Sequence, residues 1–175
     1  MARSRSRGLL MWADIMEFDE NSAPADAQGR AMYSERFIQG EIFRARPDVI
    51  AVVHSHSPEV VAFGVTKAPF QGLVHVADFL GITPVPAFEI RDVLGPDNNM
   101  LVRDSKTGAA LTKVLGDRSM VLMRGHGMAV VAPSVRMAVL RAVYPKLNAR
   151  VQAEAMRLDE PVFLNEAEAS DRGKS

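Results

Sequence analysis

Between Ser34 and Ala45 the apolar residues Phe37, Ile38, Ile42 and Phe43 recur every three to four positions, which is the spacing of one helix face. Ser34 stands where a cap belongs and Pro47 ends the run, so a helix over about 34–45 is predicted. Val49 to Val53 is an unbroken β-branched and small apolar run, the pattern of a strand buried on both faces, and it delivers His54-Ser55-His56 at its end. Ser57-Pro58-Glu59 then opens a short helix that closes near Gly64, with proline at its first position. Residues 70–102 mix glycine, proline and short apolar stretches, and predict short strands at 74–77 and 85–90 joined by loops. A helix over 109–115 stops at Gly116-Asp117, and Ser119 to Met123 forms a second buried strand that runs into Arg124-Gly125-His126-Gly127. Met128 to Val131 continues as a paired strand. Val135 to Met156 has the spacing of a long amphipathic helix in which Pro145 should impose a kink or a break.

The two ends are weaker. Residues 1–30 form an approach segment with one short strand, and the tail 165–175, acidic and then basic, has no apolar anchor and is expected to fray. No internal repeat or linker divides the chain, so residues 1–175 are taken as a single domain.

Composition narrows the function more than the fold. Hydrophobic residues at 47% and charged ones at 24% are those of an ordinary globular chain. Lysine plus arginine and aspartate plus glutamate both total 21, so no global field draws the chain to nucleic acid or anionic lipid. Arg3, Arg5 and Arg7 are a short cluster without interleaved aromatics and read as a solvated terminus rather than a nucleic-acid arm. No apolar stretch approaches the ~20 residues of a membrane crossing, and no secretory signal pattern opens the chain, which gives a cytoplasmic expectation. The absence of cysteine removes disulfides, thiolate metal sites and cysteine nucleophiles.

Histidine is therefore the residue to follow, and the chain has four. His54 and His56 are two apart after a strand, so both rings point to one face and can converge on one ion. His126 follows a second apolar strand between two glycines that permit a tight turn and close backbone approach. Three neutral imidazoles with an open position suit a divalent metal, zinc first, with manganese, iron or cobalt as alternatives. Proton transfer needs a carboxylic acid nearby, and Glu35, Glu41, Asp48 and Glu59 are all candidates. His75, between Val74 and Val76, reads as a core or rim histidine, and Ser34 and His75 are kept as candidate substrate contacts.

These residues have a familiar order. Ser34-Glu35 opening a helix, Arg46-Pro47-Asp48-Val49, Val52-Val53-His54-Ser55-His56-Ser57-Pro58 and Met123-Arg124-Gly125-His126-Gly127 together resemble the class II aldolase/adducin family over about residues 30–156. The resemblance implies a three-layer α/β/α fold with a central, largely antiparallel sheet, and a homo-oligomer, commonly a tetramer, with sites near subunit contacts. It places His54, His56 and His126 on the family's metal ligands and Glu35 on its acid/base glutamate. It implies a metal-dependent carbon–carbon lyase acting on a small-molecule substrate, by aldol cleavage of a hydroxy-carbonyl compound or decarboxylation of a hydroxylated aromatic acid.

Glu35-Arg36-Phe37-Ile38 and Phe43-Arg44-Ala45-Arg46 look closer to the decarboxylase-like branch, while Gln39 stands where such relatives more often have histidine. The family's glycine-rich phosphate loop is not evident, and the chain begins after the segment that usually carries it, as in an N-terminally truncated product. The alternative is a truncated, catalytically inactive adducin-like interaction domain.

Overall fold

The computed structural model describes residues 11–170; the cluster Arg3, Arg5 and Arg7 and residues 171–175 of the tail lie outside the described residues. Four strands form one mixed sheet in the order β1 (Ala51–Ser55), β4 (Gly127–Ala132), β3 (Met120–Met123), β2 (Ala87–Phe88). β4 is antiparallel to both β1 and β3, and β2 is parallel to β3.

Strand alternation sorts the core into two halves. Val121, Met123, Ala129 and Val131 face α1 (Arg36–Ala45) and α4 (Ser105–Leu115), where Ile38, Ile42, Leu111 and Leu115 are buried. Met120, Leu122, Met128 and Val130 face the other way, onto α2 (Pro58–Gly64), the 3₁₀ segment His75–Leu80 and α5 (Val135–Leu158). The result is the three-layer α/β/α arrangement that the resemblance implies. The short helices α3 (Arg91–Leu94) and α6 (Glu166–Ser170) and a 3₁₀ turn at Trp12–Asp14 complete the described elements. α4 begins a turn earlier than the apolar spacing suggests, because Asp104 caps it by accepting the Thr107 N–H at 2.8 Å.

Several local expectations give way to tertiary context. β1 is an edge strand, and only His54 among its residues is fully buried, so it is not covered on both faces. Residues 74–77 are not a strand: Asn148 Oδ1 accepts the N–H groups of Leu73 and Val74 at 2.8 and 3.2 Å, which takes them out of any ladder, and the chain coils into the 3₁₀ segment. α5 runs without interruption through Pro145, which is buried inside it. In residues 11–30 the only strand-like feature is an isolated bridge between Phe18 and Pro24.

The tail is better ordered than expected as far as Ser170. Asn165 and Glu168 exchange side-chain and backbone hydrogen bonds at 2.9 and 3.1 Å, a capping box that starts α6, and the Leu164 N–H bonds the Gly72 carbonyl at 2.9 Å.

Asn148 and Gln152 are fully buried polar residues on α5. Asn148 Nδ2 also donates to the Gln71 carbonyl at 2.8 Å, and Gln152 Nε2 donates to the Pro69 carbonyl. Asn148→Leu strips three backbone groups of their partner and is expected to cost about 3 kcal/mol, or roughly 6–12 °C in Tm. A thermal melt within a degree or two of wild type would show that water replaces the amide.

Candidate metal centre

Glu35 sits at the N-cap of α1, with backbone angles φ −95° and ψ 22° and no capping bond from its side chain. Ser34, expected to cap, does not; the chain turns into the helix one residue later, and the freed Glu35 carboxylate points into the protein, where the residue is 4% exposed. His54 lies on the same sheet face as Val52, the face covered by α1, and His56 follows two residues on at the end of β1. His126 arrives from the tight turn between β3 and β4. That turn uses Gly125 at φ +65°, and a side chain at Gly127 would collide with the Ser55 carbonyl and press on the His56 ring. Both flanking glycines therefore have a steric reason.

One ligand atom from each of Glu35, His54, His56 and His126 lies within 4.8 Å of the others. His54 Nε2 is 2.8 Å from His56 Nε2, and His126 Nε2 is 3.1 Å from His56 Nε2. Glu35 Oε2 is 3.5 Å from His126 Nε2 and 3.8 Å from His54 Nε2. His54 Nδ1 is 2.9 Å from the Met128 carbonyl, which can only accept, so Nδ1 carries the proton and Nε2 offers its lone pair to the cluster. Converging imidazole nitrogens repel unless a proton or a cation lies between them. A tetrahedral ion with nitrogen ligands at about 2.0–2.1 Å spaces those nitrogens about 3.3 Å apart, close to the observed pair distances, so the donor set fits a divalent metal.

Electrostatics point the same way. Burial pushes the His54 imidazole down to about 4, against the Met128 carbonyl and the Glu35 carboxylate, which favour its charged form. Burial alone would raise the Glu35 carboxyl, but hydrogen bonding to His126, the charges of His126 and His54 and the Val102 N–H hold it below its usual value. The two shifts add in one direction. The unfolded chain binds more protons than the folded one as pH falls from 6.5 toward about 4 for His54, and below 4.5 for Glu35. Stability contributed by both is present above that range and lost as pH falls through it. Metal-free protein is therefore expected to melt lower at about pH 5 than at about pH 7, and equal melting temperatures would contradict these environments.

Of the candidate residues, the fold brings together Glu35, His54, His56 and His126. It does not bring His75, which is exposed on the 3₁₀ segment in the layer across the sheet, into the cluster, while Ser34 directly precedes Glu35 and is half-buried. Glu41 is buried on α1 beside Arg44, and Glu59 pairs with Lys146, so neither competes with Glu35. Sequence reasoning misses the Val102 N–H, which donates to Glu35 Oε1 at 3.2 Å, because a backbone donor from a distant loop has no signature in residue type. It also misses Glu89, whose carboxyl is held down at about 2 by Arg91 and Arg124; Arg124 stands two residues before His126.

Fold and cluster together define an α/β domain with a three-histidine, one-glutamate site able to hold a divalent ion. The chain belongs to the family described as Class II Aldolase and Adducin N-terminal domain, whose sequence model matches residues 5–153. It is 35% identical over 170 residues to the decarboxylase tropJ of Talaromyces stipitatus, an alignment covering 90% of this chain and 64% of that protein. It is 34% identical over 136 residues to 3,4-dihydroxyphthalate decarboxylase of Arthrobacter keyseri, covering 74% of this chain and 51% of that one. The chain thus spans about half to under two-thirds of the length of these curated relatives. Among solved structures, an L-fuculose 1-phosphate aldolase superposes with a TM-score of 0.76 at 18% identity, over 93% of this chain and 71% of that chain, a likeness of fold. Aldolases of this class use a divalent metal. No helix among the described residues is long and apolar enough to cross a membrane.

Proposed function

We propose that this chain carries the active centre of a metal-dependent carbon–carbon lyase of the decarboxylase type, acting on a hydroxylated aromatic acid. The observation that carries the reading is the convergence of three imidazole nitrogens and one buried carboxylate within 4.8 Å. The names of the curated relatives support decarboxylation over aldol cleavage.

His54, His56 and His126 would hold the ion, zinc in the first instance. When bound, it supplies Lewis acidity that stabilises negative charge on a substrate oxygen while the carbon–carbon bond breaks. The rest falls to the chain's own groups. Glu35 is kept ionised, with Oε1 tied to the Val102 N–H, so Oε2 is the atom free to accept a proton. It takes the proton of the substrate hydroxyl, and the electron pair of the breaking bond passes into the ring as carbon dioxide leaves. Glu35 then returns that proton to the ring carbon, and the remaining phenolate is protonated from water, so atoms and charge balance. Apolar side chains exposed on α5, Val139, Val143 and Leu147 among them, support assembly with further copies, a tetramer being the family-based expectation.

Elemental analysis of protein purified without a histidine tag, followed by product analysis with hydroxylated aromatic acids that include 3,4-dihydroxyphthalate, tests the reading. Stoichiometric transition metal and carbon dioxide without an aldehyde are expected. Release of an aldehyde from a hydroxy-carbonyl compound would replace decarboxylation by aldol cleavage. Protein that holds no metal and takes none up would leave the adducin-like, inactive reading.

A further inference from the structure

The loop from Gly95 to Val102 touches two parts of the centre at once. Its last residue gives its N–H to Glu35 Oε1 at 3.2 Å, which leaves Oε2 facing His54 and His126. Its middle lays the Met100 thioether against the turn that carries His126. Met100 Sδ is 3.8 Å from an Arg124 guanidinium nitrogen and 3.7 Å from where a side chain on Gly125 would begin.

The loop holds this shape against a local preference. Met100 has φ +60°, a left-handed backbone that residues with a Cβ rarely adopt and that persists only where the surroundings impose it. Asn98 imposes it: Oδ1 accepts the Met100 N–H at 2.8 Å, and Nδ2 donates to the Gly95 carbonyl at 2.6 Å. Asn99 adds a similar bond, its Oδ1 accepting the Leu101 N–H at 3.2 Å. The loop is thus braced by its own side chains, and besides the packing of Val102 and Met100 on the core it reaches the glutamate and the turn of the third histidine.

We propose that the Asn98-built loop, through Met100 and the Val102 N–H, is a positioning element that fixes the Glu35 carboxylate for proton transfer and the His126 turn for metal binding. The proposal rests on the reading of the four residues as a metal centre. Partners outside the ligand set matter because they fix the orientation of the groups that reach the ion. A Glu35 released from Val102 is free to rotate, and Oε2 is no longer held facing His54 and His126. A His126 turn released from Met100 loses one wall of its packing.

The test loads purified protein with cobalt(II), reads its visible absorption, which responds to ligand number and geometry, and measures affinity by competition with a chelator. Asn98→Ala is expected to weaken cobalt binding about tenfold, the lower end of the range for partners of metal ligands, and to shift the visible band. Asn98→Asp keeps the acceptor for the Met100 N–H but sets a carboxylate oxygen against the Gly95 carbonyl, so it should fall between wild type and Asn98→Ala in both. Met100→Ala leaves Asn98 in place and should move both quantities in the same direction as Asn98→Ala. Leu115→Ala, a cavity in the core at the end of α4, is the control: it should lower the melting temperature more than either while leaving affinity and spectrum unchanged.

Asn98→Ala and Met100→Ala with wild-type affinity and spectrum would overturn the loop's role, as would an equal change in Leu115→Ala. Wild-type protein that takes up no cobalt would instead overturn the metal centre itself, and the loop's role with it.

Discussion

Replacing Glu35 by glutamine is expected to lower turnover by about 10²–10⁴-fold while the protein keeps its metal. Glutamine fills the same volume, and its side-chain carbonyl can still accept the Val102 N–H, so the loop contact survives. What is lost is the ability to carry a proton at the position of Oε2, 3.5 Å from His126. Metal content measured beside the rate separates two roles. A variant that loses metal would make the glutamate a ligand, and one that turns over at the wild-type rate would remove it from the chemistry.

The second large effect is on metal affinity. His126→Ala is expected to weaken binding by more than about 100-fold, beyond the range for partners that only orient a ligand. The fold should survive, because the residue sits in a turn between β3 and β4 whose neighbouring strands are fully buried without it. Its Nδ1 is buried without a hydrogen-bond partner among the described residues, so its removal breaks no bond on that side of the ring. Chelator competition on a variant with an unchanged circular dichroism spectrum is the measurement. Wild-type affinity in that variant would leave only His54 and His56 as nitrogen donors and end the three-histidine description.

How much of this was legible in the residues alone differs between the site and its surroundings. His54 and His56 were readable because strand geometry places alternate residues on one face, and that rule does not depend on the rest of the fold. His126 was readable because a glycine on each side of a histidine after an apolar strand marks a tight turn that holds the ring close to neighbouring backbone. The choice of Glu35 over Glu41, Asp48 and Glu59 came only from the family pattern. Physically it depends on Glu35 missing the cap that Ser34 was expected to supply, which is a matter of one residue at a helix start.

The failures share a cause. Val49 to Val53 has the composition of a central strand, yet β1 stands at the margin of the sheet, with Ile50 63% exposed. Val74-His75-Val76 has strand composition, yet Asn148, far along the chain, claims the adjacent N–H groups. Apolar pattern reports which side chains prefer burial. It does not report where in the sheet a strand will stand or which distant amide will take its hydrogen bonds.

The edge position of β1 has a consequence for the living protein. Among the described residues β1 is paired on one side only, by β4; it carries His54 and leads directly into His56, and the partners of these imidazoles come from α1 and from the turn between β3 and β4. An ion there would rivet one margin of the sheet to its interior, and the unfolded chain offers no equivalent site. By mass action, cation supply then sets how often this edge opens to proteases, so cellular lifetime and catalytic competence would rise and fall together.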